Sequence, residues 1–396
     1  MRQIPLLAAI RGLRSFSFGY ISYLVPLYLY HIGFSIVEVG IYALIATIAS
    51  SFLLLLSGFL GDLYSKRNTL ILVSILPGLA FLAFLLTRNF YIIFATAILG
   101  LSFSAIGGGA GGGPVAPVMN ALVADIVERQ KRTRIYSNLM IISIIGAILG
   151  GFVASRLEVS VASYYAYLFL LAFLLTFISI FLMLFLEEKG RGSEDPPAES
   201  RKRGVLPTKS VRNIGLISLA GMMGSLGLGV VTPLMSIYFS IIGFTDSEIS
   251  DIFTLSYLAA GIGVVFASFF ERSFGSINSV VVLRLLGSGL FVLIPFVSPL
   301  IAAIVYISRT GIYQMALPIR QNFQMSVIIS SERARGNSLT GISRRIPYGI
   351  ATTFGSYLMA LGAYAVMFSF AGLVSLLDPI LYYIFFSKMS ADESEN

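Results

Sequence analysis

Residues 39–67 read VGIYALIATIASSFLLLLSGFLGDLYSKR. No charge interrupts the chain from Val39 to Leu60. That run exceeds the roughly 20 apolar residues with which an α-helix crosses a hydrocarbon core of about 30 Å. It gives way to a short polar turn carrying Asp62, Lys66 and Arg67. An apolar helix that stops on basic residues is the pattern of a membrane span reaching an anionic surface.

The rest of the chain repeats this pattern. Tyr164–Leu186 and Val366–Phe386 are comparable runs, the second with one acid, Asp378. The 396 residues are 57% hydrophobic and 12% charged, with a mean hydropathy of +0.88. Soluble domains are typically about 25% charged, so this composition calls for a lipid solvent. There is no cysteine, which excludes disulfides and thiolate metal sites. There is no tryptophan, so the 20 Tyr and 31 Phe must form the interfacial aromatic belt. The N-terminal stretch carries Arg11 and Arg14 within an apolar run and no small-residue cleavage site, and reads as a retained first helix.

Spans are predicted near 4–30, 36–60, 68–86, 90–123, 136–157, 164–186, 213–242, 249–270, 277–297, 299–323, 339–362 and 364–386. With both termini cytoplasmic, 18 of the 27 Lys and Arg fall in inside segments, and only Arg88 and Arg156 fall in outside loops. The positive-inside bias therefore orients the chain. It also explains the net charge of +8 without nucleic acid, since the basic residues sit between spans. Residues 187–212, rich in Gly, Pro, Ser and mixed charge, read as a cytoplasmic linker between an N-terminal bundle, 1–186, and a C-terminal bundle, 213–396.

The two halves echo one another. Pro117 precedes Arg132-Thr-Arg134 as Pro318 precedes Arg333-Ala-Arg335, at an offset of 201 in each case. Tyr28-Leu-Tyr-His-Ile-Gly33-Phe34-Ser35 parallels Tyr238-Phe-Ser-Ile-Ile-Gly243-Phe244-Thr245. Internal repetition of this kind marks secondary transporters, whose sites lie near the midplane between repeats.

Gly58-Phe-Leu-Gly61-Asp62-Leu-Tyr-Ser-Lys66-Arg67 resembles the signature G-x-L-[GA]-D-[RK]-x-G-[RK]-[RK] of the major facilitator superfamily. It departs at Leu63 and Ser65, and Ala267-Ser-Phe-Phe-Glu271-Arg272 is a degraded second copy. The resemblance implies an all-α membrane protein of twelve transmembrane helices in two six-helix bundles related by pseudo-two-fold symmetry, working as a monomer by alternating access. It makes Gly58, Gly61, Asp62, Lys66 and Arg67 a conformational latch, with Asp62 contacting the opposite half. It also places helices one, four, seven and ten around the cavity.

Charges within spans are costly, by about 2.5–3.5 kcal/mol or more at mid-bilayer, and are functional suspects by default. Arg309 lies about 15 Å into the tenth span, at the midplane. Tyr313 follows one turn later on the same face, with Gln314 adjacent. These three, with Arg14 and Arg11 three residues apart on helix one, are the candidate substrate-binding residues. Arg14 is placed to reach the cavity, whereas Arg11 is expected to snorkel to the surface. Asp378, Arg344 and Arg345 lie at similar depth and are expected to pair, and Arg320 is a candidate gate charge near the cytoplasmic end of its span. Arg284 is expected to snorkel on a peripheral helix. His31, at the outer end of helix one, reads as an interfacial histidine.

Helix four contains Gly107-Gly-Gly-Ala-Gly-Gly-Gly113-Pro114, with Pro117 beyond. Six glycines and a proline weaken a helix, so the segment either unwinds toward the cavity or packs closely against a neighbour through small residues.

The leading function is transport of a small organic solute, with a lean to anions because the cavity candidates are basic, and with a proton as a possible coupling ion. The alternative is a proton-driven multidrug exporter. Against it, helix one has no acid and helix five, with Gly146, Gly150 and Gly151, has no Pro. A non-transporting receptor or scaffold would need a large extramembrane domain. No metal-ligand spacing, nucleophile–base pair or phosphate loop is present, so neither an enzyme nor a cofactor is expected.

Overall fold

The computed structural model describes residues 3–63, 65–101, 113–127, 132–160, 163–187, 209–329 and 332–387. Among them every regular element is helical. In chain order these are α1 (Gln3–His31), α2 (Ile36–Leu63), α3 (Lys66–Leu86), α4 (Phe90–Ala95), α5 (Ala116–Ile126), α6 (Arg132–Ser160), α7 (Tyr164–Met183), α8 (Val211–Val231), α9 (Met235–Ile241), α10 (Asp246–Phe274), α11 (Ser276–Leu293), α12 (Pro299–Val327), α13 (Arg333–Ala360) and α14 (Tyr364–Phe386). A 3₁₀ turn, Thr232–Leu234, joins α8 to α9, and another, Thr96–Leu99, continues α4.

Nine helices among the described residues are long and apolar enough to cross a bilayer, against twelve spans expected. Two long helices outside that set, α1 and α13, carry Arg11 and Arg14, and Arg344 and Arg345, within their length. The fourth expected span is described only as α4 and α5, on either side of 102–112. Large apolar side chains face outward around the helices. Phe269 is 65% exposed and Leu300 67%. In water such a surface would aggregate, whereas in lipid it is solvated.

The repeat is visible in the backbone. At the end of α1, Gly33 has φ +103°, and at the end of α9, Gly243 has φ +102°. In each, the next residue donates to a carbonyl five back, Phe34 to Leu29 at 3.0 Å and Phe244 to Phe239 at 3.0 Å. This is the left-handed helix stop for which glycine is suited. Each following helix opens on a reciprocal cap. Glu38 N–H donates to Ser35 Oγ at 3.2 Å while Ser35 N–H donates to Glu38 Oε2 at 2.7 Å. Thr245 and Glu248 do the same at the start of α10. The Arg132-x-Arg134 and Arg333-x-Arg335 pairs, expected in loops, begin α6 and α13.

The packing is asymmetric from end to end. At the end bearing the α1–α2 and α9–α10 turns, one core cluster joins both segments, from Tyr20 and Phe169 to Phe239 and Phe368. At the opposite end two clusters stand apart. One contains only residues before the linker, such as Leu7, Leu122 and Met183; the other contains only residues after it, such as Ile217, Phe323 and Tyr382. Among the described residues the segments therefore share one core at one end, the sealed end, and have separate cores at the other, the divided end. Two glycines let the sealed end close. A Cβ at Gly151 of α6 would stand 2.3 Å from Thr254 Oγ1 of α10, and one at Gly40 of α2 would stand 2.0 Å from Ser356 Oγ of α13.

Candidate functional site

A cavity of about 370 Å³ lies between the segments, below the sealed end. Its lining comes mostly from the C-terminal segment. The N-terminal segment contributes Ser22, Tyr23 and Thr47. Among the described lining residues are five arginines, Arg284, Arg309, Arg320, Arg344 and Arg345, and one acid, Asp378.

Asp378 is 1% exposed on α14. Its Oδ2 accepts from Arg320 Nη1 at 2.6 Å and from Arg284 Nη1 at 3.4 Å. The pairing expected from depth, with Arg344 or Arg345, is thus replaced by pairs with α12 and α11. Arg344 instead donates to Gln324 Oε1 at 3.4 Å, and Arg345 to Ser50 Oγ of α2 at 3.4 Å. The reason is azimuth. α11 packs directly on α14 and α12 packs on α11, so guanidiniums from both helices reach the Asp378 carboxylate. Two glycines of α8 make room here. A Cβ at Gly224 would stand 2.8 Å from Asp378 Oδ2, and one at Gly221 would stand 2.5 Å from Arg344 Nε.

Arg284, expected to snorkel, is 4% exposed and points inward. It donates to the Tyr313 hydroxyl, and its guanidinium carbon lies 3.8 Å from the Tyr313 ring centroid. Arg309 donates to Gly287 O at 3.1 Å and lies over Phe291 at 3.9 Å and Tyr313 at 4.4 Å. Tyr313 is thus shared by two guanidiniums, and the aromatic faces help hold these cations out of water. Even so, Arg284 Nε, Arg309 Nη2, Arg320 Nε and Nη2, and Arg344 Nε are buried donors without acceptors.

Of the sequence candidates, Arg309, Tyr313, Gln314, Arg320, Arg344, Arg345 and Asp378 line this one cavity. The helix-one pair is elsewhere. Arg14 turns to α3, donating to Ser74 Oγ at 3.0 Å, and Arg11 turns to α6, donating to Ser143 Oγ at 2.7 Å. In the Gly58–Arg67 stretch, a Cβ at Gly61 would stand 3.2 Å from Val118 of α5, and Gly58 meets nothing within 4 Å. Ser65 caps α3 ahead of Lys66 and Arg67, accepting from Asn68 N–H at 3.1 Å. The Asp62 side chain lies outside the described residues. So does Gly107, with most of the glycine tract. Before the tract, α4 passes into the 3₁₀ turn Thr96–Leu99, which stops at Gly100, whose φ is +73°. After it, Gly113 and Pro114 precede α5, where Ser57 Oγ donates to Pro114 O at 2.6 Å, and Pro117 lies in its first turn.

Sequence reasoning turned Arg284 toward the surface and did not single out Tyr306, Tyr348 or Glu158. Arg284 carried its own signal, being a charge deep in an apolar run. Glu158 was hidden by a span drawn to end at 157, whereas α6 continues to Ser160.

The Major Facilitator Superfamily model matches residues 7–225, more than half of the chain. The chain belongs to the Major Facilitator Superfamily. It is an integral multi-pass membrane protein and a secondary transporter, not an enzyme. Its fold matches the crystal structure of a D-xylose–proton symporter with TM-score 0.76 at 14% identity, covering 96% of this chain and 96% of that one. An auto-inhibited POT family peptide transporter gives 0.75 at 13% identity, covering 97% and 96%. A bacterial homologue of the iron transporter ferroportin in its inward-facing state gives 0.73 at 17% identity, covering 97% and 98%. At these identities the likeness concerns the fold. No curated protein sequence matches the chain.

Proposed function

We propose that this transporter moves a small organic anion across the cytoplasmic membrane by alternating access. The observation that carries the reading is the excess of guanidinium over carboxylate around the cavity. Asp378 is already engaged by two arginines, while several buried N–H groups of Arg284, Arg309, Arg320 and Arg344 have no acceptor. Buried charge of one sign is costly unless paired, and a carboxylate or phosphate on the substrate would supply the missing acceptors in a geometry that arginine forks match. Tyr306, Tyr313 and Tyr348 offer flat faces for the organic part.

The positive-inside bias supports placing the linker and both termini in the cytoplasm. The divided end then faces the cytoplasm and the sealed end faces outward. In this reading residues 1–186 and 213–396 are the two six-helix bundles that rock about the cavity, 187–212 joins them, and the Gly58–Arg67 stretch latches the cytoplasmic end in the opposite state. The cavity is lined from both segments of one chain, which supports a working monomer. Export of cationic drugs fits less well, because the one acid among the described lining residues has two arginines on its Oδ2 and only Oδ1 left as an acceptor.

The test is uptake by proteoliposomes across mono- and dicarboxylates, phosphorylated solutes, neutral sugars and cationic drugs. Saturable transport confined to anions supports the proposal. Transport of cations with anions ignored refutes it.

A further inference from the structure

Glu158 sits in the last turns of α6, at the sealed end. Both its carboxylate oxygens are buried, and among the described residues no close, well-aligned hydrogen bond reaches them. Ser250 of α10 lies within reach of both Glu158 and the buried Tyr23 hydroxyl of α1, so the three groups form one polar cluster drawn from three helices. Tyr23 is 1% exposed and Ser250 0%. The cluster spans the seal, since α6 and α1 precede the linker and α10 follows it. Ser155 and Ser247 hydroxyls meet across the same seam at 3.1 Å. Tyr23 also stacks on Phe253 of α10, with centroids 4.6 Å apart, and lines the central cavity.

The charges around Glu158 offer it no relief. α10 contributes Asp246 and Asp251 within electrostatic reach, and Tyr257, which is bonded to Ser22. α7 contributes Tyr164 and Tyr165, both donating to Asp246. α1 contributes Tyr20, Tyr23 and His31, whose Nδ1 stands 3.6 Å from Asp246 Oδ2. On α6 itself Arg156 is exposed, with its guanidinium over the Phe152 ring at 5.0 Å. A carboxylate anion in this setting would be desolvated and next to other acids, with the Ser250 hydroxyl as its one favourable neighbour. The neutral acid is far cheaper to bury, and it can donate to a neighbouring hydroxyl.

We propose that Glu158 is a proton-binding site, loaded when α6 and α10 seal the outer end and emptied when that end opens to water. The proton comes from water at the open end and returns to water, and no bond other than the carboxyl O–H changes. This rests on the alternating-access reading above. The sign follows from linkage: the state that binds the proton more tightly gains population as pH falls. Acid therefore closes the outer end, and alkali opens it.

The chain has no cysteine, so Ser163→Cys and Ser298→Cys, both exposed at this end, can carry a pair of nitroxide labels in lipid nanodiscs. Distance distributions from pH 5 to 9 should show the short population dominant in acid. The closed-to-open ratio should fall by up to about tenfold per pH unit as pH rises. Glu158→Gln should stay closed at every pH, and His31→Gln should keep the wild-type response. A wild-type distribution that ignores pH overturns the proposal. So does a Glu158→Gln protein that titrates like wild type, or a response that disappears only with His31. Anion uptake without the pH-dependent distance defeats this site alone. The distance response without uptake of any anion defeats the transport reading alone.

Discussion

Arg309→Ala separates the binding role of the cavity arginines from a structural one. In the protein this side chain donates one hydrogen bond, to Gly287 O, and lies on two aromatic rings. Losing the charged hydrogen bond costs about 1.5–3 kcal/mol, and losing the cation–π contacts costs about 0.5–2 kcal/mol each. Against this, the variant removes a buried cation that has no carboxylate, whose burial itself costs several kcal/mol. The two nearly offset, so the fold should survive. Binding has no such offset. An anion about 4 Å from the guanidinium gains about 4 kcal/mol at an effective dielectric of 20, which is about a thousandfold in affinity. Uptake at substrate levels that saturate the wild type should become undetectable, while melting in detergent moves by only a few degrees. Arg309→Lys should recover part of the affinity but not all, because it keeps the charge and loses the planar fork. Unchanged apparent affinity in Arg309→Ala would refute the role. A variant that cannot be purified folded would show that the arginine is structural.

Three further outcomes follow from the same geometry. Asp378→Asn leaves Arg320 and Arg284 without their carboxylate and should destabilise the protein by about 3–5 kcal/mol; adding Arg320→Gln should restore part of the loss, as read from melting in detergent. Gly221→Val places a branched side chain against Arg344, so uptake should fall at least tenfold with normal expression and monodispersity. Gly151→Val pushes Thr254 away across the seal, which should lengthen the Ser163–Ser298 label distance at acid pH where the parent protein is closed.

Much of the fold is legible in sequence because it depends on local quantities. Solvent choice follows from composition, span position from length, and caps from single residues. Gly33 and Gly243, with the caps at Ser35 and Thr245, could be paired by eye because each acts within one turn. Residue depth was equally accessible, since a helix rises about 1.5 Å per residue. Depth puts Arg309 at the midplane, and the resemblance turns the tenth span, with Tyr313 and Gln314, toward the cavity, whereas Arg320 reads as a gate charge near the cytoplasmic end.

Facing direction was not accessible. A lipid-facing helix whose neighbours are also apolar has little polar stripe to orient it, so the sequence leaves rotation about its own axis open. Arg14 could as well have faced the cavity as Ser74, and Arg284 could as well have snorkelled. Asp378 met Arg320 and Arg284, not Arg344 or Arg345, because helix rotation and crossing bring those guanidiniums to its oxygens. The linear sequence thus determined that this chain belongs in a membrane and how far along its own helix each charge lies. Only tertiary packing decided which charges meet, and that Glu158 is buried at the seam without a counter-charge, because contact depends on rotation as well as on depth.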